Sequence, residues 1–233
     1  MLMTALWLLL LCGTFVALIM LHGQQQSVSV RTAAALAQAR FDTDAAIDSV
    51  VADILIKGGA SSWSRLPASG SVQIGHHAVQ LSISSENGRL DLNSADIDVI
   101  ARALLGQVNA AQRMGFLAAL QRARASGSRI EGPADAGRLL AFLSSKSCLD
   151  DWFTTYSGQS QPEIGSAPVG LAGSLNAGSD QRGDSVTRVG QSLRIDVKAL
   201  SGPPVRVTIR LVGRQDRSFD TLSWTIPVAC NAQ

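Results

Sequence analysis

The hydrophobic pattern divides the first quarter of the chain into an apolar half and an amphipathic half. Residues 1–23 carry no acid, Lys or Arg, and this run is about as long as the roughly 20 apolar residues that a membrane-spanning helix needs. Residues 24–57 contain neither Pro nor Gly, and their apolar residues recur at helical spacing. We therefore expect one long helix, in which residues 1–23 form a transmembrane anchor and residues 24–57 form a stem that stands out of the membrane.

Two sets of apolar side chains follow from this interpretation. The anchor presents large side chains to lipid, namely Leu6, Trp7, Leu10, Phe15 and Ile19. The stem carries a stripe made of Val30, Ala34, Ala37, Phe41, Ala45, Val51 and Ile54. A cleaved secretory signal is the alternative, but its apolar region is only about 7–15 residues long and ends at a small-x-small cleavage site, which His22-Gly23-Gln24 does not provide.

Alternation of apolar and polar residues predicts an antiparallel sheet in two parts. In residues 58–90, Val79, Leu81 and Ile83 alternate with polar residues and predict half of a β-hairpin. In residues 191–233, three further stretches alternate in the same way and predict C-terminal strands with one apolar and one solvated face. Because the apolar face needs a cover, we expect the stem to pack on it.

The segment between the two parts of the sheet has helical signals. Residues 91–158 are expected to form an all-helical insert, with Asn93 or Ser94 capping a first helix, Asn109 a second, and Pro133 opening a third. Residues 159–190 are rich in Gly, Ser and Asp and are expected to form a loop. The predicted fold class is therefore α+β, with the insert as an excursion from a single sheet.

Composition and motifs limit the classes of function that the chain can have. The net charge is +2 with both signs interspersed, so no nucleic-acid partner is expected. Cys148 and Cys230 lie in the soluble part and either form a disulfide in an oxidising compartment or remain free thiols. No Gly-x-Ser-x-Gly elbow, phosphate-binding Gly loop or His cluster is present, which favours a structural protein over an enzyme.

Three stretches, in this order and spacing, resemble a known family. They are Asn87-Gly-Arg-Leu-Asp-Leu-Asn-Ser-Ala95, Thr154-Thr-Tyr-Ser-Gly158, and Leu193-Arg-Ile-Asp-Val197 with Phe219-Asp-Thr-Leu-Ser-Trp224. Together with the long N-terminal helix, they resemble the general secretion pathway protein K family, the minor pseudopilins of type II secretion systems. The resemblance implies a pilin-like fold and a place in the tip complex that initiates or caps the pseudopilus for protein export.

The resemblance also implies partners, a location and a metal. The partners are other minor pseudopilins and the major pseudopilin, bound through the stem stripe, and prepilin peptidase if a leader lies upstream. The location is the inner membrane, crossed once, with the soluble part in the periplasm. Calcium is bound in some relatives; Asp180 and Asp184 are possible oxygen ligands here, although solvated loop acids are the simpler interpretation. No other cofactor is expected.

The anchor departs from most pilins in one respect. Most pilins carry Glu at the fifth mature position, whereas Ala5 is the nearest residue here and the anchor has no acid. An acid in lipid is costly unless it is paired, and in a filament its partner is the terminal amine of the subunit ahead. A subunit without the acid therefore suits the first position, as the resemblance to the K family implies.

Two alternatives belong to other functional classes. Leu90-Asp-Leu-Asn-Ser-Ala95 also resembles the opening of helix-hairpin-helix modules of membrane-anchored DNA-uptake proteins, but such modules need a Gly-rich hairpin for the phosphate, and residues 105–109 contain one glycine. A membrane-anchored hydrolase is the second alternative, since Ser, His and Asp side chains can meet in space without a sequence motif.

Overall fold

The structure is a computed structural model that describes residues 2–143, 148–175, 185–199, 202–214 and 217–227. Between residues 2 and 32 it describes the backbone but only a few side chains. A single helix, α1 (Leu2–Lys57), occupies the first quarter of the chain. It ends where Gly58 takes a positive φ of 53°, a conformation that glycine adopts without strain.

A five-stranded antiparallel sheet forms the centre of the molecule. In chain order the strands are β1 (Arg65–Leu66), β2 (Ala68–Ile74), β3 (His77–Ser85), β4 (Leu90–Asp91), β5 (Phe153–Thr154), β6 (Ser185–Val186), β7 (Ser192–Lys198), β8 (Val205–Leu211) and β9 (Phe219–Thr225). The central sheet has the order β2-β3-β7-β8-β9, and β1 pairs with β6 beside it. Strands before and after the insert therefore share one sheet, as the sequence predicts.

The second half of α1 covers the apolar face of this sheet, which we call the inner face. Ile47, Val51 and Ile54 are buried against strands whose alternate residues, such as Leu81 and Ile195, point at the helix. Fully burying one such side chain contributes roughly 1.5–3 kcal/mol. The expected packing of the stem on the sheet is confirmed.

The insert forms a second core of its own. Its helices are α2 (Ile97–Ala103), α3 (Ala110–Ala125) and α4 (Pro133–Leu140). A shared apolar core joins α2 and α3 to the segment ahead of β5, through side chains that include Ile100, Phe116 and Trp152. The predicted caps at α3 and α4 are confirmed, since Asn109 forms a capping box with Gln112 and Pro133 opens α4.

Three expectations need correction. The first helix of the insert starts at Ile97 with Asp96 at its N-cap, because Asn93 and Ser94 bond elsewhere. Residues 159–190 are not simply a loop: α5 (Val169–Ser174) buries Leu171 in the core of the insert, and β6 pairs with β1.

The third correction concerns the outer face of the sheet. This face was expected to be solvated, but Arg194 and Thr208 are buried there. The insert packs on this side, where Arg194 donates a hydrogen bond to the Phe153 carbonyl at 3.1 Å and the Ser192 hydroxyl donates to the Tyr156 carbonyl at 3.0 Å. The sheet therefore lies between α1 on its inner face and the insert on its outer face.

Candidate functional site

The stem has two apolar faces, and only one of them touches the sheet. Phe41 and Val50 are nine residues apart, about two and a half turns of an α-helix, so they lie on opposite sides of α1. Val50 is buried against the sheet, whereas Phe41 is 65% exposed and Val30 is 66% exposed. The exposed apolar face is a candidate surface for another helix.

The structure divides the predicted stem stripe between these two faces. Val30, Ala34, Ala37 and Phe41 are exposed, and Ala45 is half-buried. Val51 and Ile54 were predicted to contact partner helices, but both are buried against the sheet of their own chain and are unavailable to a partner. The spacing of apolar residues in the sequence could not separate the two faces, because both faces carry apolar residues over the same part of the helix.

A set of charges with a buried centre fixes the insert to the sheet. We call it the junction cluster; it consists of Arg89, Arg194, Arg206, Glu86, Asp151 and Asp196. At its centre Arg194 donates to both carboxylate oxygens of Glu86, at 2.6 and 3.3 Å. Glu86 is fully buried, although it lies in a turn with Asn87 and Gly88.

Asp151 carries the cluster from the sheet into the insert. Its carboxylate accepts hydrogen bonds from Arg206 at 2.6 Å and from Arg194 at 3.3 Å. Arg206 also donates to both oxygens of Asp196, at 2.6 and 3.2 Å. Arg89 donates to the Asp151 carbonyl at 2.9 Å, so Asp151 receives bonds from three arginines.

The electrostatics of the cluster hold it charged. Burial acts to raise the pKa of Glu86, but the guanidiniums of Arg194 and Arg89 outweigh it and hold that pKa below its usual range. Burial, with Arg194 nearby, lowers the pKa of Arg89 to about 10, so Arg89 stays protonated at neutral pH. Burial acts to lower the pKa of Arg206 too, but hydrogen bonds to Asp196 and the charge of Asp151 raise it overall.

The sequence stretch that carried the family resemblance forms the neck of the insert, defined as the parallel pair β4 and β5. The buried Asp91 carboxylate accepts hydrogen bonds from the Asn93 N–H at 2.8 Å and from the Gly158 N–H at 2.8 Å, which ties the entry of the insert to its exit. The Asn93 side chain bonds both the N–H and the carbonyl of Ile130. These residues therefore position the insert.

Arg124 belongs to the same neck. Its guanidinium donates to three backbone carbonyls, those of Leu92 at 2.9 Å, Ala95 at 2.7 Å and Asp91 at 3.2 Å. Burial is the main cause that lowers the pKa of Arg124, with Asp91 and Asp96 opposing it. This arginine is thus already bonded within the insert and is not presented to a phosphate backbone.

Gly88 permits a close backbone contact beside the cluster. A Cβ atom at this position would lie 2.2 Å from the Ser166 carbonyl oxygen and 2.6 Å from the Ala167 nitrogen. Real Cβ atoms do not approach backbone so closely, so only glycine fits here. The turn 86–88 is also joined to the later segment by the Glu163 N–H, which donates to the Asn87 carbonyl at 2.8 Å.

Several predicted positions fall wholly or partly outside the described residues. These are Cys230, Asp180 and Asp184, together with the side chains of Cys148, Leu6, Leu10 and Ile19. The disulfide therefore stays a prediction, which labelling of free thiols in unfolded, unreduced protein would test. Trp7 and Phe15 of the predicted anchor are described and exposed.

The described residues contain neither a metal centre nor a helix that could cross a membrane. No group of three His, Cys, Asp or Glu side chains among them is placed to hold a metal ion. Among the side chains that the structure describes, no helix is both long enough and apolar enough to cross a membrane.

No protein-family model matches the chain, and no curated protein matches it.

Proposed function

We propose that this chain is a pilin-like minor pseudopilin of a type II secretion system, similar to the K family. In this role it is part of the tip complex that initiates or caps the pseudopilus during protein export. Residues 1–23 anchor it in the inner membrane, and the rest of the chain lies in the periplasm. Its partners are other minor pseudopilins and the major pseudopilin.

The observation that carries this proposal is the second apolar face of α1. A helix that only covered its own sheet would need one apolar face, whereas this helix exposes Val30, Ala37 and Phe41 on the side away from Val50. Apolar residues of this size remain exposed in contiguous sets mainly where another protein binds. In the proposed role, this face binds the helices of neighbouring pilin-like subunits.

The position of the insert supports a place at the tip. The insert adds a second core on the outer face of the sheet, and the junction cluster holds it there. This bulk would obstruct a subunit stacked above, while the exposed face of α1 remains open to helices below. The acid-free anchor agrees with a subunit that has no neighbour ahead of it.

Replacing one residue on the exposed face tests the proposal. Phe41→Asp places a charge where a partner helix is expected, so it should abolish co-purification with the minor pilin-like subunits and stop secretion. Ala35→Asp is the matched control, since it adds the same charge at an exposed position on a different side of α1. Equal co-purification of both variants would contradict the proposed role of this face.

A further inference from the structure

The inner face of the sheet is uncovered at one edge. Strand β9 is one of the two edge strands, and α1 contacts β2, β3 and β7 towards the opposite edge. Trp224 is 37% exposed and Ile226, two residues further on, is 63% exposed. Large apolar side chains thus lie open on the inner face beside α1.

One side of α1 forms the opposite wall of this opening. The Arg40 guanidinium lies 5.6 Å from the centroid of the Trp224 ring, so the side of α1 that carries Arg40 faces β9. Phe41 is the next residue, and Ala37 precedes it by about one turn; both are exposed. We call the space between these residues and the exposed Trp224 and Ile226, at the end of β9 and just beyond it, the α1–β9 groove.

Two carboxylates, those of Asp44 and Asp48, line the same side of α1, and neither forms a salt bridge among the described residues. Asp44 and Asp48 follow Arg40 at intervals of four residues, and both are exposed. Among the described residues, neither makes an ion pair, the ion pairs being those of Lys57, Arg138, Arg194, Arg206 and Arg217. Like charges four residues apart repel one another by a few tenths of a kcal/mol. Partial burial raises the pKa of Asp44, Arg40 opposes this effect, and Asp48 adds to it.

We propose that the α1–β9 groove binds an amphipathic helix that carries two Lys or Arg residues four positions apart, contributed by a different pilin-like subunit. This inference rests on the proposed function and specifies the partner's chemistry. The apolar stripe of the partner helix would cover Phe41, Trp224 and Ile226, and its basic residues would face Asp44 and Asp48. Two basic residues four positions apart lie on one side of the partner helix, as Asp44 and Asp48 do on α1, so the two pairs of charges can face each other.

A second copy of this chain does not meet these requirements. The basic residues in its own stem are Arg31, Arg40 and Lys57, and no two of them are four positions apart. Arg31 and Arg40 are nine residues apart, which places them on opposite sides of the helix. The charge pattern therefore favours a different subunit over self-association.

Photocrosslinking of the full-length chain in its native membrane tests the groove. p-Benzoylphenylalanine is placed at position 41 or at position 226, and the crosslinked protein is identified by mass spectrometry. We expect both positions to capture the same protein, at a helical segment with Lys or Arg four residues apart. Asp44→Lys with Asp48→Lys should lower the yield from both positions about tenfold or more.

A matched variant controls for the change in total charge. Asp98→Lys with Glu131→Lys changes the charge by the same amount at exposed positions of the insert and should leave the yield within about twofold of the unsubstituted chain. Replacing the two basic residues of the partner with Glu should restore crosslinking to the Asp44→Lys, Asp48→Lys variant. Such a rescue requires the carboxylates and the basic residues to meet.

Four results would overturn the inference: capture of different proteins from the two positions, capture of another copy of this chain, capture of lipid alone, or equal yields from the two charge variants. If minor pilin-like subunits still co-purify in any of these cases, the proposed function stands and only the groove fails. If both positions capture the basic helix of a protein that is not pilin-like, the proposed function fails.

Discussion

The junction cluster shows why individual residues on a strand can be misjudged from sequence. Arg194 and Arg206 alternate with apolar residues, and charged residues in such a pattern predict a solvated face. The structure instead buries Arg194 against Glu86 and Asp151. These partners are 108 and 43 residues away in sequence, so no local sequence pattern predicts the contact.

Removing the charge of Glu86 should destabilise the chain strongly. Glu86→Gln keeps the shape of the side chain but leaves Arg194 and Arg89 buried with one balancing charge fewer. Loss of one partner from a buried ion pair costs about 3–5 kcal/mol. Urea unfolding of the full-length chain in detergent measures this change in the free energy of unfolding.

The control for this variant is Glu131→Gln, which makes the same change at an exposed position outside the helices. Surface changes of this kind alter the free energy of unfolding by about 0.5 kcal/mol or less. If Glu86→Gln had an effect as small as that of the control, the cluster would not hold the insert on the sheet.

The same residue predicts a pH dependence. Because the arginines lower the pKa of Glu86 in the folded chain, its charge contributes stability that is fully present above the ordinary value of 4.5. This contribution is lost as the pH falls through the lowered pKa of the folded state. The difference in unfolding free energy between the unsubstituted chain and Glu86→Gln should therefore shrink as the pH falls below 4.5.

Urea titrations of both proteins between neutral pH and pH 3 measure this difference. A difference that stayed constant over the whole range would mean that the pKa of Glu86 is not lowered by folding, contrary to the expected effect of the two arginines.

At the scale of elements, the sequence predicts what local periodicity determines. The β2–β3 hairpin, the three C-terminal strands and the helix starts at Asn109 and Pro133 agree with the structure, because alternation, caps and turns act over a few residues. The orientation of α1 could not be predicted, because both of its faces are apolar and only the packing on the sheet determines which one is buried. Helix α5 was missed because its two buried residues, Leu171 and Ala172, lie side by side in a Gly-rich segment and give too short a pattern.

The contact between the turn 86–88 and the segment 163–167 yields a prediction for two glycines. Gly88→Ala forces its Cβ into the Ser166 carbonyl and should cost about 3 kcal/mol of unfolding free energy. Gly137→Ala is the matched control, because no atom lies within 4 Å of its Cβ position in α4. In that exposed helix, alanine should be neutral or should stabilise by up to about 1 kcal/mol.

Thermal and urea unfolding of the two alanine variants separate the two cases. Similar stabilities for Gly88→Ala and Gly137→Ala would show that the two backbone segments do not approach each other as closely as the structure indicates.

At the scale of the whole molecule, the sheet lies between α1, which exposes a second apolar face, and an insert that enlarges the opposite side. The stem uses one apolar face inside the chain and leaves the other exposed, and the insert is held by charges that do not depend on a partner. The sequence predicted these parts and their order along the chain. It did not predict that the insert covers the sheet, because that contact joins residues distant in sequence.

Membrane topology is a prediction at this scale. The apolar run in residues 1–23 and the stem that follows it predict one crossing of the inner membrane, with residues after 23 in the periplasm. Alkaline phosphatase fused after residue 60 should therefore be active. High activity of β-galactosidase fused at the same place would instead locate this part of the chain in the cytoplasm and reject the topology.

We propose that this chain occupies one end of a pseudopilus. The insert should obstruct a subunit above, and the exposed face of α1 should bind helices below, so the chain can start or cap a filament but cannot extend one. Immunogold labelling of assembled pseudopili with an antibody against the insert measures its position directly. We expect gold at a single end of each pseudopilus, and labelling along the whole length would contradict a position at the tip.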